Sequence, residues 1–152
     1  MRRLVFLSFA VSIFTACGTA SSSKNEKEDE KLSVVEVSEA RINAGKEVYQ
    51  TYCFACHMQD GGGVPNLNPP LIKSPWVNGD KETLIKIVLN GSAGGQYEVD
   101  GELFYSAMTP HNFLSDQQIA DVLTFVRNNF ENKASAVTAE EVLKIRNALK
   151  QE

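Results

Sequence analysis

Cys53-Phe54-Ala55-Cys56-His57 is the stretch that decides the fold of this 152-residue chain. Two thiols three positions apart can each add to one vinyl group of a haem, and an imidazole next to the second thiol then lies close enough to bind the iron. The spacing C-x-x-C-H therefore predicts covalent attachment of a c-type haem at Cys53 and Cys56, with His57 as one ligand of the iron.

Two other uses of the same side chains compete with haem attachment. A thioredoxin-like redox pair follows a strand within a βαβ pattern, whereas Cys53 follows a segment with helical spacing. A structural zinc site needs four ligands, and the remaining Cys and His residues of the chain are Cys17 and His111. Haem attachment is favoured because neither alternative finds its partners in this sequence.

The composition indicates one globular domain, with 43% apolar and 22% charged residues. The formal net charge is -4, and the chain lacks the clusters of Lys and Arg that bind phosphates, so nucleic acid is not predicted as a partner. The ten Gly and five Pro are concentrated between residues 61 and 110. They indicate a loop-rich middle between helical ends.

The first sixteen residues have the pattern of an export signal. Arg2 and Arg3 precede an apolar run over residues 4–14, which is too short to span a bilayer but has the length of a signal-peptide core. The next residues lead into Cys17, and Phe14-Thr15-Ala16-Cys17-Gly18 resembles the lipobox of bacterial lipoproteins, with Phe14 in place of the usual Leu. The resemblance implies lipidation of Cys17 and a lipid anchor in a membrane facing the periplasm. Ordinary secretion or a retained signal anchor is the alternative.

The stretch over residues 17–37 has the composition of a flexible linker, rich in Ser, Glu and Lys with apolar residues only at its far end. Twenty such residues span about 25 Å, which is enough for a domain on a lipid anchor to reach neighbouring proteins. We predict a signal peptide over 1–16, this linker over 17–37, a haem domain over 38–131 and a C-terminal extension over 132–152.

Caps and apolar spacing predict helices that begin after Ser38, Asp80, Ser115 and Thr138. The first helix ends at Cys53. It contains a glycine, Gly45, which costs roughly 1 kcal/mol relative to Ala in a helix and indicates close approach of another helix.

The later elements are predicted from the same kinds of signal. The second helix ends at Gly91, and the third carries a wide apolar stripe. The helix after Thr138 is expected on the surface of the domain. Alternation around Asp100-Gly101 predicts a short β-hairpin between the second and third helices.

The sixth ligand of the iron would decide between electron transfer and chemistry at an open site. The candidates are Met58, Met108 and His111. Met58 directly follows His57, and neighbouring residues cannot easily reach opposite faces of one porphyrin, so it is interpreted as local packing. Met108 is favoured because it lies in a Pro-containing loop before the third predicted helix, and His111 in the same loop is the alternative.

With these motifs in place, the chain resembles the monohaem class I c-type cytochromes over about residues 39–131. The resemblance rests on C-F-A-C-H at 53–57, on Pro69-Pro70-Leu71, and on M-T-P-H-N-F-L-S-D-Q-Q-I-A-D-V-L-T-F-V-R at 108–127. It implies a mostly α, cytochrome c-like fold wrapped around one covalent haem, with a short β-hairpin and an extra C-terminal helix. It also implies that His57 and Met108 are the axial ligands and that the carbonyl of Pro69 or Pro70 accepts a hydrogen bond from the His57 imidazole.

The resemblance further implies that the first and last helices of the haem domain cross each other. It also implies a function in electron transfer. The expected function is that of a single-electron carrier, not an enzyme, between a dehydrogenase or membrane complex and an oxidase or reductase. The donor and acceptor proteins are not identified by the sequence. Two alternatives stay open: a catalytic or gas-sensing haem protein with an open sixth site, and a subunit docked to a larger oxidoreductase.

Overall fold

The computed structural model describes residues 37–92, 97–99 and 101–151. Within these ranges lie six helices, α1 (Glu39–Tyr52), α2 (Phe54–His57), α3 (Pro75–Asn78), α4 (Lys81–Asn90), α5 (Asp116–Arg127) and α6 (Ala139–Leu149), and two strands, β1 (Tyr97–Val99) and β2 (Glu102–Phe104). The predicted mostly α fold is confirmed. The predicted signal peptide over 1–16, the lipidation site Cys17, the linker up to residue 36 and Asp100 lie outside the described residues.

Helix α1 crosses α5 at a glycine. Ser38 caps α1 and its hydroxyl accepts from the backbone amide of Arg41. A Cβ added at Gly45 would overlap the carbonyl oxygen of Asp121 and would lie 2.7 Å from the Cβ of Phe125. One turn later the rings of Tyr49 and Phe125 pack with centroids 5.5 Å apart. The close approach that Gly45 predicts is confirmed, and it fixes the end of α1, where Cys53 lies.

Helix α4 forms as its caps predict. The Asp80 carboxylate accepts from the amide of Thr83 at 2.7 Å, and the helix stops before Gly91, whose φ of 71° is in the left-handed region. Its buried face consists of Leu84, Ile85, Val88 and Leu89. The single-turn helices α2 and α3 were not predicted, because one turn is too short to show an apolar period.

The two strands form the predicted hairpin. Tyr97 pairs with Phe104 and Val99 with Glu102 in antiparallel register. Gly101 in the turn has φ 82°, a conformation that glycine adopts without a steric penalty. Among the described residues no helix combines the length and apolar character needed to cross a membrane.

The C-terminal extension packs onto the haem domain through α6. Thr138 and Glu141 form the predicted capping box. Leu143 is exposed on the outer face of α6, as expected for a surface helix, whereas Val142 and Ile145 are buried in the same apolar core as α4 and α5. Before α6, Val137 is fully buried, and its amide donates to the hydroxyl of Thr124 at 3.0 Å. The inner face of α6 therefore completes the core.

Candidate metal and cofactor site

The end of α1 and the single turn of α2 bring two thiols and one imidazole together. Cys53 caps α1, and the amide of His57 donates to the Cys53 carbonyl at 2.9 Å. In a helical turn, residues three and four positions apart lie on one face. Cys53, Cys56 and His57 accordingly line the same cavity.

That cavity has a volume of about 370 Å³ and a mostly apolar lining. Its apolar walls come from the loop after α2, from α3, α4 and α5, and from β1. They include Leu71, Val77, Leu84, Val88, Val99, Val122, Leu123 and Val126. The exposed residues Tyr52, Cys56 and Trp76 also line it. The cavity therefore reaches the surface on the side where the cysteines lie.

His57 is oriented by the Pro69-Pro70 loop. Its Nδ1 lies 3.2 Å from the carbonyl oxygen of Pro69. Because a carbonyl only accepts, this contact puts the proton on Nδ1 and leaves the lone pair of Nε2 free to bind a metal. Burial lowers the pKa of His57 despite the opposing effect of the Pro69 carbonyl, and the nearby His111 lowers the pKa further. The imidazole is therefore held in the neutral form that a metal requires.

The two cysteines are free thiols. Burial, together with the neighbouring Cys56, raises the pKa of Cys53 from 9.0 to about 11. Redox cysteines of the thioredoxin type have a lowered pKa and stay partly ionised, so this environment disfavours that use. The described sheet is a two-stranded hairpin that follows Cys53 in the chain, so the βαβ context of such a pair is also missing from the described residues.

Met108 faces the same cavity from a different part of the chain. Its amide donates to the hydroxyl of Ser92 at 2.9 Å, and its carbonyl accepts from the amide of Ser92 at 3.1 Å. A Cβ added at Gly91 would overlap the Met108 carbonyl oxygen and would lie 2.9 Å from the backbone nitrogen of Pro110. The end of α4 thus holds the Met108 loop at close range.

His111 and Met58, the other two candidate ligands, are placed differently. His111 lines the cavity, and its buried Nδ1 has no hydrogen-bond partner in the described part of the chain. Its ring lies 5.8 Å from that of Phe113, whose side chain is 64% exposed. Met58 is 42% exposed and is not among the cavity-lining residues. Its φ of 62° begins the turn out of α2, and the interpretation of its side chain as local packing stays a prediction.

Sequence reasoning missed the two residues that position Met108. Gly91 was recognised only as the end of a helix, and Ser92 was not singled out. The available signal was a Gly-Ser pair directly after a helix, which indicates a turn but not the loop that it contacts. Pro70, the second candidate acceptor for His57, lines the cavity, but the described contact to His57 is from Pro69.

The donors around the cavity fit a flat apolar metal complex better than a bare metal ion. Among the described residues no group of three or more His, Cys, Asp or Glu side chains is close enough to hold an ion, which leaves a structural zinc site without its ligands. The cavity instead offers the imidazoles of His57 and His111, two thiols and one thioether within mostly apolar walls. An iron porphyrin matches both the soft and nitrogen donors and the walls.

Comparison with known families gives a match over most of this domain. The family model described as "Cytochrome c" matches residues 42–130. The match includes the cysteines, His57, the Pro69-Pro70 loop and Met108, and it ends close to the predicted end of the haem domain.

Comparison with individual proteins finds relatives that include cytochrome c subunits of dehydrogenases and a cytochrome c-552. The cytochrome c subunit of the quinone alcohol dehydrogenase of Gluconobacter oxydans is 38% identical over 107 residues, and that of the gluconate 2-dehydrogenase of Pantoea cypripedii is 39% identical over 106 residues. The alignments cover 68% and 67% of this chain but only 22% and 24% of those subunits. Cytochrome c-552 of Thermus thermophilus is 33% identical over 111 residues, which cover 67% of this chain and 83% of the relative.

Proposed function

The chain belongs to the cytochrome c family, and from this premise we propose that it carries one haem c attached to Cys53 and Cys56, with His57 and Met108 as axial ligands. Membership of the family makes it an electron-transfer component with covalent haem. The observation that carries the finer proposal is that both thiols, the imidazole and the thioether line one mostly apolar cavity.

The side chains around the cavity then have separate tasks. Haem c supplies a one-electron couple between ferric and ferrous iron. The Pro69 carbonyl fixes the tautomer and orientation of His57 and makes the imidazole a stronger donor. The thioether of Met108 is soft and a poor donor, which favours the ferrous state and raises the reduction potential relative to a second imidazole. If His57 and Met108 both hold the iron, they would keep substrates off the metal, as suits a carrier.

The surroundings of the two candidate sixth ligands favour Met108 over His111. Met108 packs against the apolar core, and its backbone is held on both sides by Ser92. The imidazole of His111 instead packs against the exposed ring of Phe113. His111 stays the alternative ligand, because it lines the cavity and its buried Nδ1 has no partner among the described residues.

The cavity mouth supports electron exchange with partner proteins. Tyr52, Cys56 and Trp76 are exposed and line it, so an edge of the bound group would lie near the surface there. We propose that the chain receives single electrons from a dehydrogenase or membrane complex and passes them to an oxidase or reductase. The resemblance of residues 14–18 to a lipobox supports a lipid anchor at Cys17, which would keep the chain at a membrane facing the periplasm.

A second candidate function is that of a subunit docked permanently to a larger oxidoreductase. The relatives from Gluconobacter oxydans and Pantoea cypripedii are named as subunits of dehydrogenases. This chain spans about a fifth of their length. Purification from the native membrane in mild detergent would separate the two functions, because a subunit would remain with its dehydrogenase and a carrier would elute alone.

The ligand set is tested by the ferric spectrum of protein matured with its haem. We expect a mass that exceeds that of the bare polypeptide by one haem, and a weak iron-sulfur charge-transfer band that is lost in Met108→Ala. His111→Gln is the matched control, because it alters the same loop and should retain the band. A high-spin spectrum in the wild type would instead support a catalytic or gas-sensing protein with an open site, and colourless protein would refute haem attachment.

A further inference from the structure

Arg146 of α6 binds the segment that follows Met108. Its Nη1 donates to the carbonyl oxygen of Asn112 and its Nη2 to that of Leu114, each at 2.7 Å. Its Nε lies 2.6 Å from a carboxylate oxygen of Asp116 in the first turn of α5. One guanidinium thus fixes the short connection between the Met108 loop and α5.

The opposite side of the same loop is fixed by α4. The amide of His111 donates to the carbonyl of Val88 at 2.9 Å, and Ser92 makes the two backbone contacts to Met108. The loop from Met108 to Leu114 is therefore held between α4 on one side and the C-terminal extension on the other. The haem domain also contacts this loop through the ring of Tyr52, which packs on that of Phe113 with centroids 5.5 Å apart, and through the core that buries Leu114. The C-terminal extension contributes the three bonds of Arg146.

The contacts of Arg146 are of a kind that holds geometry. A guanidinium is planar and always charged, and its donors have fixed directions, so bonds from it are directional as well as charge-assisted. The Arg146 and Asp116 side chains are only 17% and 26% exposed, which reduces the screening that weakens ion pairs at the surface. Moving the loop away from the cavity would break two of these bonds and leave the guanidinium poorly satisfied.

We propose that Arg146 is a positioning residue for Met108, and that the C-terminal extension serves to keep the Met108 side of the haem cavity closed. The proposal rests on the proposed function, because it requires Met108 to be the sixth ligand. Arg146 acts on Met108 through the backbone of residues 112–114 and does not touch the metal. Without Arg146 the loop opens more often, and the thioether leaves the iron for a larger fraction of the time.

Binding of imidazole to the ferric, haem-loaded protein measures this opening, because an external ligand can bind only where the thioether has left. Its apparent affinity is the intrinsic affinity multiplied by the open fraction. Arg146→Met keeps the aliphatic stem and removes the three contacts. We expect imidazole to bind about tenfold more tightly to this variant than to the wild type, which corresponds to about 1.4 kcal/mol.

Lys81→Met is the matched control. Lys81 in α4 forms an ion pair with Glu141 of α6 at 2.8 Å, so this variant also loses one positive charge and one ion pair to α6. The pair does not involve residues 108–114. The affinity of Lys81→Met for imidazole should stay within twofold of that of the wild type, even if Lys81→Met and Arg146→Met lose similar thermal stability.

Arg146→Lys supplies a second variant if Arg146→Met does not fold. A single ammonium keeps the charge next to Asp116 but cannot reproduce the planar fork on both carbonyls, so about a threefold rise in affinity is expected. Equal affinities in the Arg146 and Lys81 variants, with the iron-sulfur band present in the wild type, would overturn the positioning role alone. Absence of that band from the wild type would overturn the His57 and Met108 ligand set and this proposal together.

Discussion

Replacing Gly45 by Ala tests the helix crossing on which the site depends. The added methyl group would overlap the carbonyl oxygen of Asp121 and would lie 2.7 Å from the Cβ of Phe125. Both atoms belong to the rigid part of α5, so the strain cannot be relieved by the far end of a flexible side chain. The two helices must move apart, and the rings of Tyr49 and Phe125 must repack.

The expected loss is the difference of two effects. Ala gains about 1 kcal/mol over Gly in a helix interior. Overpacking typically costs about 1–3 kcal/mol, and a clash with a helix backbone belongs at the upper end of that range. The net destabilisation is therefore about 2 kcal/mol, which lowers the unfolding midpoint of a domain of this size by about 8 °C.

Thermal and guanidinium unfolding of the haem-loaded protein, followed by far-ultraviolet circular dichroism, measure this loss. Gly101→Ala is a control that measures backbone strain without a clash, because its φ is +82° and nothing lies within 4 Å of the added Cβ. A loss of about 1 kcal/mol in the free energy of unfolding is expected there. Asn43→Ala, at an exposed position of α1, should slightly stabilise the protein. If Gly45→Ala raised the midpoint as Asn43→Ala does, the close crossing of α1 and α5 would be refuted.

Two further predictions concern pH and haem attachment. Burial raises the pKa of Glu141, but hydrogen bonds from Lys81 and Thr138 and the nearby cations outweigh it and lower the pKa below its usual value. A carboxyl with a lowered folded-state pKa adds stability above its unfolded-state pKa of about 4.3 and loses it as the pH falls through the folded-state value. Glu141→Gln should therefore have a lower free energy of unfolding than the wild type at pH 7 and the same free energy in acid. Guanidinium titrations at several pH values measure this difference, and a difference that does not change with pH would contradict the ion pair. The double variant Cys53→Ala, Cys56→Ala should lack stable tertiary structure, because it cannot hold the haem that fills the cavity of 370 Å³. At about 24 cal/mol per Å³, an empty cavity of this size costs up to about 9 kcal/mol. That is comparable to the whole free energy of unfolding of a domain. Sharp, dispersed NMR resonances from the haem-free variant would argue against this.

The elements that the sequence predicts well are those with local signals. Ser38, Asp80, Ser115 and Thr138 each cap a helix as predicted, because a cap is a contact between residues three or fewer positions apart. The amphipathic pattern with Val142, Ile145 and Leu149 predicted a last helix on the domain surface, but not that Val142 and Ile145 would join the core of α4 and α5. An amphipathic helix has the same pattern whether its apolar face covers a core or completes one, and only tertiary packing decides between them.

The site divides in the same way. Cys53, Cys56 and His57 meet because a single helical turn places them together, so their spacing was sufficient for the prediction. Met108 was selected by its place in a loop before the third predicted helix, and the structure brings its side chain to the same cavity. Ser92 and Gly91 were missed as positioning residues, because contacts between two loops follow no repeating pattern along the chain.

The C-terminal extension shows why some long-range contacts cannot be predicted from the residues that accept them. Arg41 in α1 donates to the carbonyl of Val137 at 2.9 Å, Arg127 in α5 donates to that of Ser135 at 2.7 Å, and Arg146 in α6 donates to the carbonyls of Asn112 and Leu114. Every residue offers a carbonyl, so the identity of the acceptor side chain carries no information about the contact. The requirement lies with the arginines, each of which needs a carboxylate or several hydrogen-bond acceptors to be satisfied once it is partly buried. The burial of these three arginines is set by tertiary packing, so the sequence alone identifies neither them nor their acceptors as the points where the extension is attached.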